Sequence, residues 1–207
     1  MNLSGDLKIY AGTIIAPPAG SGKGRIIFKG TTTQTVVSSS SGTSFQGNLD
    51  YVIESGSVAS LGNSALSNTS GMLQVKGKIM VGSSEPGGAI QLVNKGNIQI
   101  PGQRIFDNGS VIEYAGTSPQ WIGAGHPASS GVTLVCNNSS EITVSQDIVV
   151  NNFYVEQGTV HAELTAIGIH GNVVVVGSAV LRSGYIGLLG LYDQQISFAG
   201  QTVGHEE

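Results

Sequence analysis

The sequence predicts an all-β chain wound as a right-handed parallel β-solenoid. Three observations carry that reading: a phrase that returns at long intervals, a composition of aliphatics and turn formers, and Gly-Asn phrases spaced by about one coil. The phrase stands as GRIIFKGTTTQTVV at 24–37, GSVIEYAGTSPQWI at 109–122 and QQISFAGQTV at 194–203. Each copy is a short alternating apolar run, then an aromatic, one small or polar residue and a glycine. In the first two copies a glutamine, Gln34 or Gln120, follows six residues after the aromatic. Phe28 and Tyr114 are 86 residues apart, and Tyr114 and Phe198 are 84 apart. A period of about 85 residues fits a solenoid in which three or four coils form one long repeat. The long repeats then run approximately over 5–95, 96–170 and, in part, 171–207 of a single solenoid segment.

Composition points the same way. Of 207 residues, 31 are glycine, about twice ordinary usage, while charged residues make up only 11%. Hydrophobic residues reach 40% but aromatics only 6%, so the apolar mass is Val, Ile, Leu and Ala. That mixture favours strands and turns. A string of β-sandwich domains is the alternative fold. It fits less well, because a sandwich core of this size carries more aromatic residues than one Trp, Trp121, and its few companions.

In chain order, Leu7 and Ile9 alternate with polar residues, as does the run 24–28. APPAGSGKG at 16–24 reads as a loop from its Pro and Gly content. Gly20-Ser21-Gly22-Lys23 inside it is not a phosphate loop. Pro17 stands where that motif needs its first glycine, and Gly24 where it needs Ser or Thr. Residues 31–47 are rich in Thr, Ser and Gly. Strands at 48–54 and 57–61 flank a Ser55-Gly56 turn, and 71–81 alternates Leu73, Val75, Ile79 and Val81. GNIQI at 96–100 answers GDLKI at 5–9, and Asp107-Asn108-Gly109 turns into the central phrase. Beyond it, 126–130 is a loop. Strands at 132–135 and 142–144 are separated by a turn at Asn137-Asn138-Ser139-Ser140. NNFYVEQGTV at 151–160 answers GNLDYVIESGSV at 47–58, and 171–176 repeats the Gly-Asn strand. The best helical window, 161–169, reads equally well as strand and turn. Gly or Asn at the coil corners is expected to adopt positive φ at low cost. About nine coils at roughly 4.8 Å each give a rod some 45 Å long. Its open ends are unpaired edges, which the charged tail Gly204-His205-Glu206-Glu207 would blunt.

Several function classes are excluded or disfavoured. Net charge is −4 and the nine Lys and Arg are scattered, so no nucleic-acid footprint exists. No apolar run approaches a membrane span. The start MNLSGDLK lacks a secretory signal, so the chain is either made inside a cell or cut from a longer secreted protein. The single cysteine, Cys136, reads as a small buried strand residue. Glycosidic hydrolysis needs two carboxylates at a defined separation. Asp147 and Glu156 lie on neighbouring phrases, Asp107 and Glu113 flank the central one, and all four read as turn or strand-face residues, so no enzyme is expected and a polysaccharide-active β-helix enzyme domain is the alternative. The four histidines, His126, His161, His170 and His205, lack ligand spacing, and neither a metal nor a cofactor is expected. Trp121, Gln120 and His126 are the candidates for ligand contact, because aromatic faces and amides mark ligand sites. Thr35 holds the position of Trp121 in the first phrase, so the fold does not require an aromatic there. In the bland reading Tyr114 stacks in a core ladder with Phe28 and Phe198.

The phrases F/Y-x-G-x-x-x-Q, N-L/F-x-Y/V and G-S/T-V resemble the repeats of large secreted bacterial surface adhesins, in the style of the filamentous haemagglutinin and autotransporter passenger groups. The resemblance spans 5–200. It implies an extracellular, stalk-like chain that is structural or adhesive, with surface glycans or matrix as partners and a longer parent chain. A second resemblance is to phage tail fibres, which lack a signal and are usually trimeric; it implies a virion component that recognises a host surface.

Overall fold

A computed structural model describes residues 1–10, 13–18, 20–38, 44–92 and 95–199. Every regular element among them is a strand. The strands wind into a right-handed parallel β-solenoid of about eight turns. Each of the first five coils carries three short strands: β1 (Asn2–Leu3), β2 (Leu7–Ile9), β3 (Thr13–Ile15); β4 (Gly24–Phe28), β5 (Thr33–Ser38), β6 (Ser44–Gln46); β7 (Leu49–Ile53), β8 (Val58–Ser60), β9 (Leu66–Ser67); β10 (Leu73–Val75), β11 (Lys78–Val81), β12 (Ile98–Gln99); β13 (Arg104–Phe106), β14 (Val111–Tyr114), β15 (Gln120–Ile122). Later coils fuse these pieces into strands that bend around corners: β16 (Thr133–Val144), β17 (Ile148–Val150), β18 (Phe153–Ile169), β19 (Val173–Val175), β20 (Val180–Leu188) and β21 (Ile196–Phe198).

One face is the sheet β1-β4-β7-β10-β13. The next is a continuous path through β2, β5, β8, β11, β14, β16, β18, β19 and β21. Alternate residues point inward and stack on their register partners, as strand geometry requires. The ladder Ala59, Ile79, Ile112, Leu134, Phe153, Val173 is fully buried along its length. Beside it runs Val81, Tyr114, Cys136, Val155, Val175, Phe198. The 84-residue step from Tyr114 to Phe198 therefore climbs one ladder. Phe28, by contrast, belongs to the ladder Leu3, Phe28, Ile53, Val75, Phe106 on the neighbouring face. The stack of Phe28 on Tyr114 expected from the phrase is thus corrected: the same words serve two different corners of the coil.

Two local expectations also change. Among the described residues, positive φ is confined to glycine. Asparagine instead acts through its amide: Asn97, fully buried, accepts from the N–H groups of Gly82 and Ser83 and donates to the carbonyls of Gly62 and Ser64. The segment 137–140, expected as a turn, lies inside β16, where a register shift against β18 rounds the corner without leaving the strand. The window 161–169 is strand within β18. Gly200, residues 39–43 of the Thr/Ser-rich stretch, and the charged tail with His205 fall outside the described residues.

One coil is long. Register partners Met80 and Glu113 are 33 residues apart, against 20 for Ser60 and Met80. The extra chain folds back, and its Ala89 accepts from Asn97 N–H and donates to Trp121 C=O. Beyond β13 the first face loses its strand, and the chain at 123–131 passes as a loop. The elongated coil and the interrupted face meet at this level of the rod.

Candidate ligand-binding site

Gln120 begins β15 at the corner that follows β14. Its side chain is fully buried. Its Oε1 accepts from Gly116 N–H at 2.7 Å and from Asn138 Nδ2 at 2.8 Å, and its Nε2 donates to the carbonyls of Val81 and Ser83 one coil below. Gln34 does the same with Gly30 N–H and the carbonyls of Leu3 and Gly5. A third copy, Gln194, takes Gly190 N–H and the carbonyls of Ile169 and Gly171. The shared G-x-x-x-Q spacing lets one amide close its own corner and tie it to the coil beneath. The third copy escaped a reading aligned on aromatics, because Leu188 precedes it where Phe28 and Tyr114 precede the others. Gln120 is therefore a structural clamp with its amide fully engaged, which corrects its assignment to ligand contact.

Trp121 follows the clamp and lies half-buried on β15, in register with Thr143. Thr35 follows Gln34 in the same way on a different face. His126 is 4% exposed. Its Nδ1 lies 3.4 Å from the Tyr114 hydroxyl, and its Nε2 has no hydrogen-bond partner among the described residues. Burial pulls the imidazole pKa down to about 4, so the ring is neutral at pH 7. Burial pushes the Tyr114 hydroxyl up, with Cys136 adding to the effect, and burial alone raises the Cys136 thiol, so both stay protonated. A protonated, enclosed thiol is a packing residue.

His126 borders a cleft of about 410 Å³ where the long coil meets the interrupted face. Ile100, Phe106 and Pro127 supply apolar wall, and Leu92 stands at the rim. Arg104, on β13, is the cation of the cleft. Its Nε donates to Ile100 C=O at 3.0 Å and Nη1 donates to Gln91 C=O. Burial lowers its pKa, and among the described residues no carboxylate lies within ion-pair distance of it. Sequence reasoning found His126 and missed Arg104, whose partners come from segments 4 and 13 residues earlier in the chain.

Three of the four acids considered for catalysis, Glu113, Asp107 and Asp147, hold structure, and Glu156 is exposed. Glu113 is buried, paired with Lys78 and bonded by Asn137 Nδ2 at 2.8 Å. Asp107 accepts from Gln74, and Asp147 accepts from Ala166 N–H. Lys23, of the rejected phosphate-loop match, lies 3.7 Å from Asp50. No family model, curated protein or solved structure matches the chain.

Proposed function

We propose that this chain is a non-catalytic, extracellular β-solenoid that serves as a rigid structural and adhesive element of a bacterial cell-surface stalk. The observation that supports the reading is the pair of inward ladders running from coil to coil, tied at their corners by Gln34, Gln120 and Gln194. Such a rod carries load along its axis through backbone hydrogen bonds and leaves its outer faces free for contact. The phrase resemblance to secreted surface adhesins supplies the extracellular setting. A cleft of about 410 Å³ bordered by His126 and Arg104 suits contact with a glycan. The test is a glycan panel together with a reducing-end assay on polysaccharides. Binding to some glycans without release of sugar ends is the expected result, and release of ends by the purified protein overturns the non-catalytic reading.

A trimeric phage-fibre segment is the second reading. It is favoured by the exposed apolar side chains of the last coils, with Leu164 at 99%, Leu191 at 93% and Tyr192 at 88%, which lateral packing of three rods would cover. Light scattering separates the two: one chain has a mass of 21.2 kDa, and a stable particle of three times that mass selects the fibre.

A further inference from the structure

The cleft at Arg104 carries an inference that rests on the adhesive reading and specifies its ligand. Arg104 is a half-buried guanidinium held in place by two backbone carbonyls, Ile100 and Gln91, with no counter-charge among the described residues. Every Lys–acid or Arg–acid contact among the described residues lies elsewhere on the rod. A half-buried cation of this kind is satisfied by an anion that enters from solvent, and a planar guanidinium matches a carboxylate best. The second polar group is His126, whose Nε2 is buried without a partner among the described residues. An unsatisfied buried imidazole nitrogen is costly, and a hydroxyl can meet it in either tautomer. Ile100, Phe106 and Pro127 add an apolar wall, against which the C–H face of a sugar ring packs.

We propose that this cleft is a binding site for a hydroxylated carboxylate of the uronic-acid kind, with its carboxylate on Arg104, a hydroxyl on His126 and its ring against Phe106. The site exists because the fold breaks its own regularity there. Sheet β1-β4-β7-β10-β13 ends at the strand that carries Arg104, and the replacing loop carries His126. Nε2 is shielded in the present state, so engagement requires the imidazole to turn toward the cleft.

The experiment is titration of the whole chain with sodium glucuronate, with glucose, with lactate and with a uronate oligosaccharide, followed by calorimetry and by the His126 ring resonances. Glucuronate is expected to bind at least about tenfold more tightly than glucose and to shift the His126 signals. Arg104→Met is expected to remove at least about tenfold of that affinity. Equal affinity for glucose and glucuronate, or unchanged affinity in Arg104→Met, overturns the proposal. If Arg104→Met does not fold, an unmoved His126 signal in the wild-type chain overturns it equally. Tighter binding of the oligosaccharide than of glucuronate identifies a polymer as the source, and equal binding of lactate identifies a small free hydroxy acid. Neutral-glycan binding that survives Arg104→Met sinks this site and leaves the adhesive reading standing. Glucuronate binding with silence on every glycan of the panel does the reverse.

Discussion

At the scale of single residues, stability is concentrated in buried amides. Replacing Gln120 by Ala removes an acceptor from Gly116 N–H and a donor from two carbonyls, all inside the rod. Each orphaned buried group costs about 1–3 kcal/mol, so Gln120→Ala is expected to lower unfolding free energy by about 3 kcal/mol in urea. Gln194→Ala should cost less, because Gln194 is partly exposed and water replaces its bonds. Equal losses would mean that burial is not what gives the clamp its strength. His126 gives the chain an acid sensitivity with a defined sign. Its folded pKa, about 4, lies below the unfolded value of about 6.5, so the unfolded chain takes up the proton first. The contribution is intact above pH 6.5 and is lost as pH falls toward 4, to a limit of about 3 kcal/mol. The groups near the ring do not oppose this: Tyr114 stays neutral, and Arg104 is cationic throughout. The His126→Gln variant should show a shallower loss of denaturant midpoint between pH 7 and pH 4.5 than the wild type; identical slopes would remove His126 from the account.

At the scale of elements, the strands were readable and the corners were not. Alternation of Leu73, Val75, Ile79 and Val81 marks the inward face directly, and all four are fully buried. The 84-residue step from Tyr114 to Phe198 is a true ladder relation, because both positions end a strand on the same face. Phe28 used the same words on another face, since a Gly-x-x-x-Gln corner can close any bend of the coil. Nothing in a one-dimensional pattern says which bend it closes. Asn137-Asn138 looked like a turn for a related reason: Asn138 does close a corner, but through its side chain, which donates to Ser118 C=O and Gln120 while the backbone stays in β16. Of the expected ligand residues, His126 alone borders the cleft, and its partner Arg104 became visible only when β13 proved to be the last strand of its sheet. Two substitutions separate these roles. Trp121 is half-buried on the outer side of β15, so Trp121→Ala should leave the fold intact at a cost of about 1 kcal/mol in thermal or urea unfolding. Gly158→Ala should cost more, about 2–3 kcal/mol. Gly158 has φ +68°, and an added Cβ would press on the carbonyl oxygens of Asn138 and Ser140 one coil below. A loss for Trp121→Ala as large as that for Gly158→Ala would make Trp121 part of the fold and end its candidacy for ligand contact.

At the scale of the whole molecule, a coil is stabilised by the two it touches, and an end coil by one. Contacts within β16 and β18 link three successive coils, whereas β21 pairs only with β19 among the described strands. The outer coils also leave apolar surface in water: Leu191, Tyr192 and Ile196 at one end, Met1, Tyr10 and Ile15 at the other. Opening free energies should therefore fall from the middle of the rod toward both ends, as expected when stability is a sum of nearest-neighbour terms. Hydrogen exchange at dilute concentration should find the amides of β14 and β18 protected at least about 100-fold more than those of β21. The same profile measured at rising concentration tests whether the ends act as interfaces. Terminal protection that climbs with concentration, while β14 and β18 stay constant, means that the edge at β21 receives the edge at β1 and β2 of another copy, in the head-to-tail manner that builds filaments. Terminal protection that stays low at every concentration means that the edges remain unpaired between copies. The contact proposed for the chain then rests with the side of the rod, at the level of Arg104 and His126.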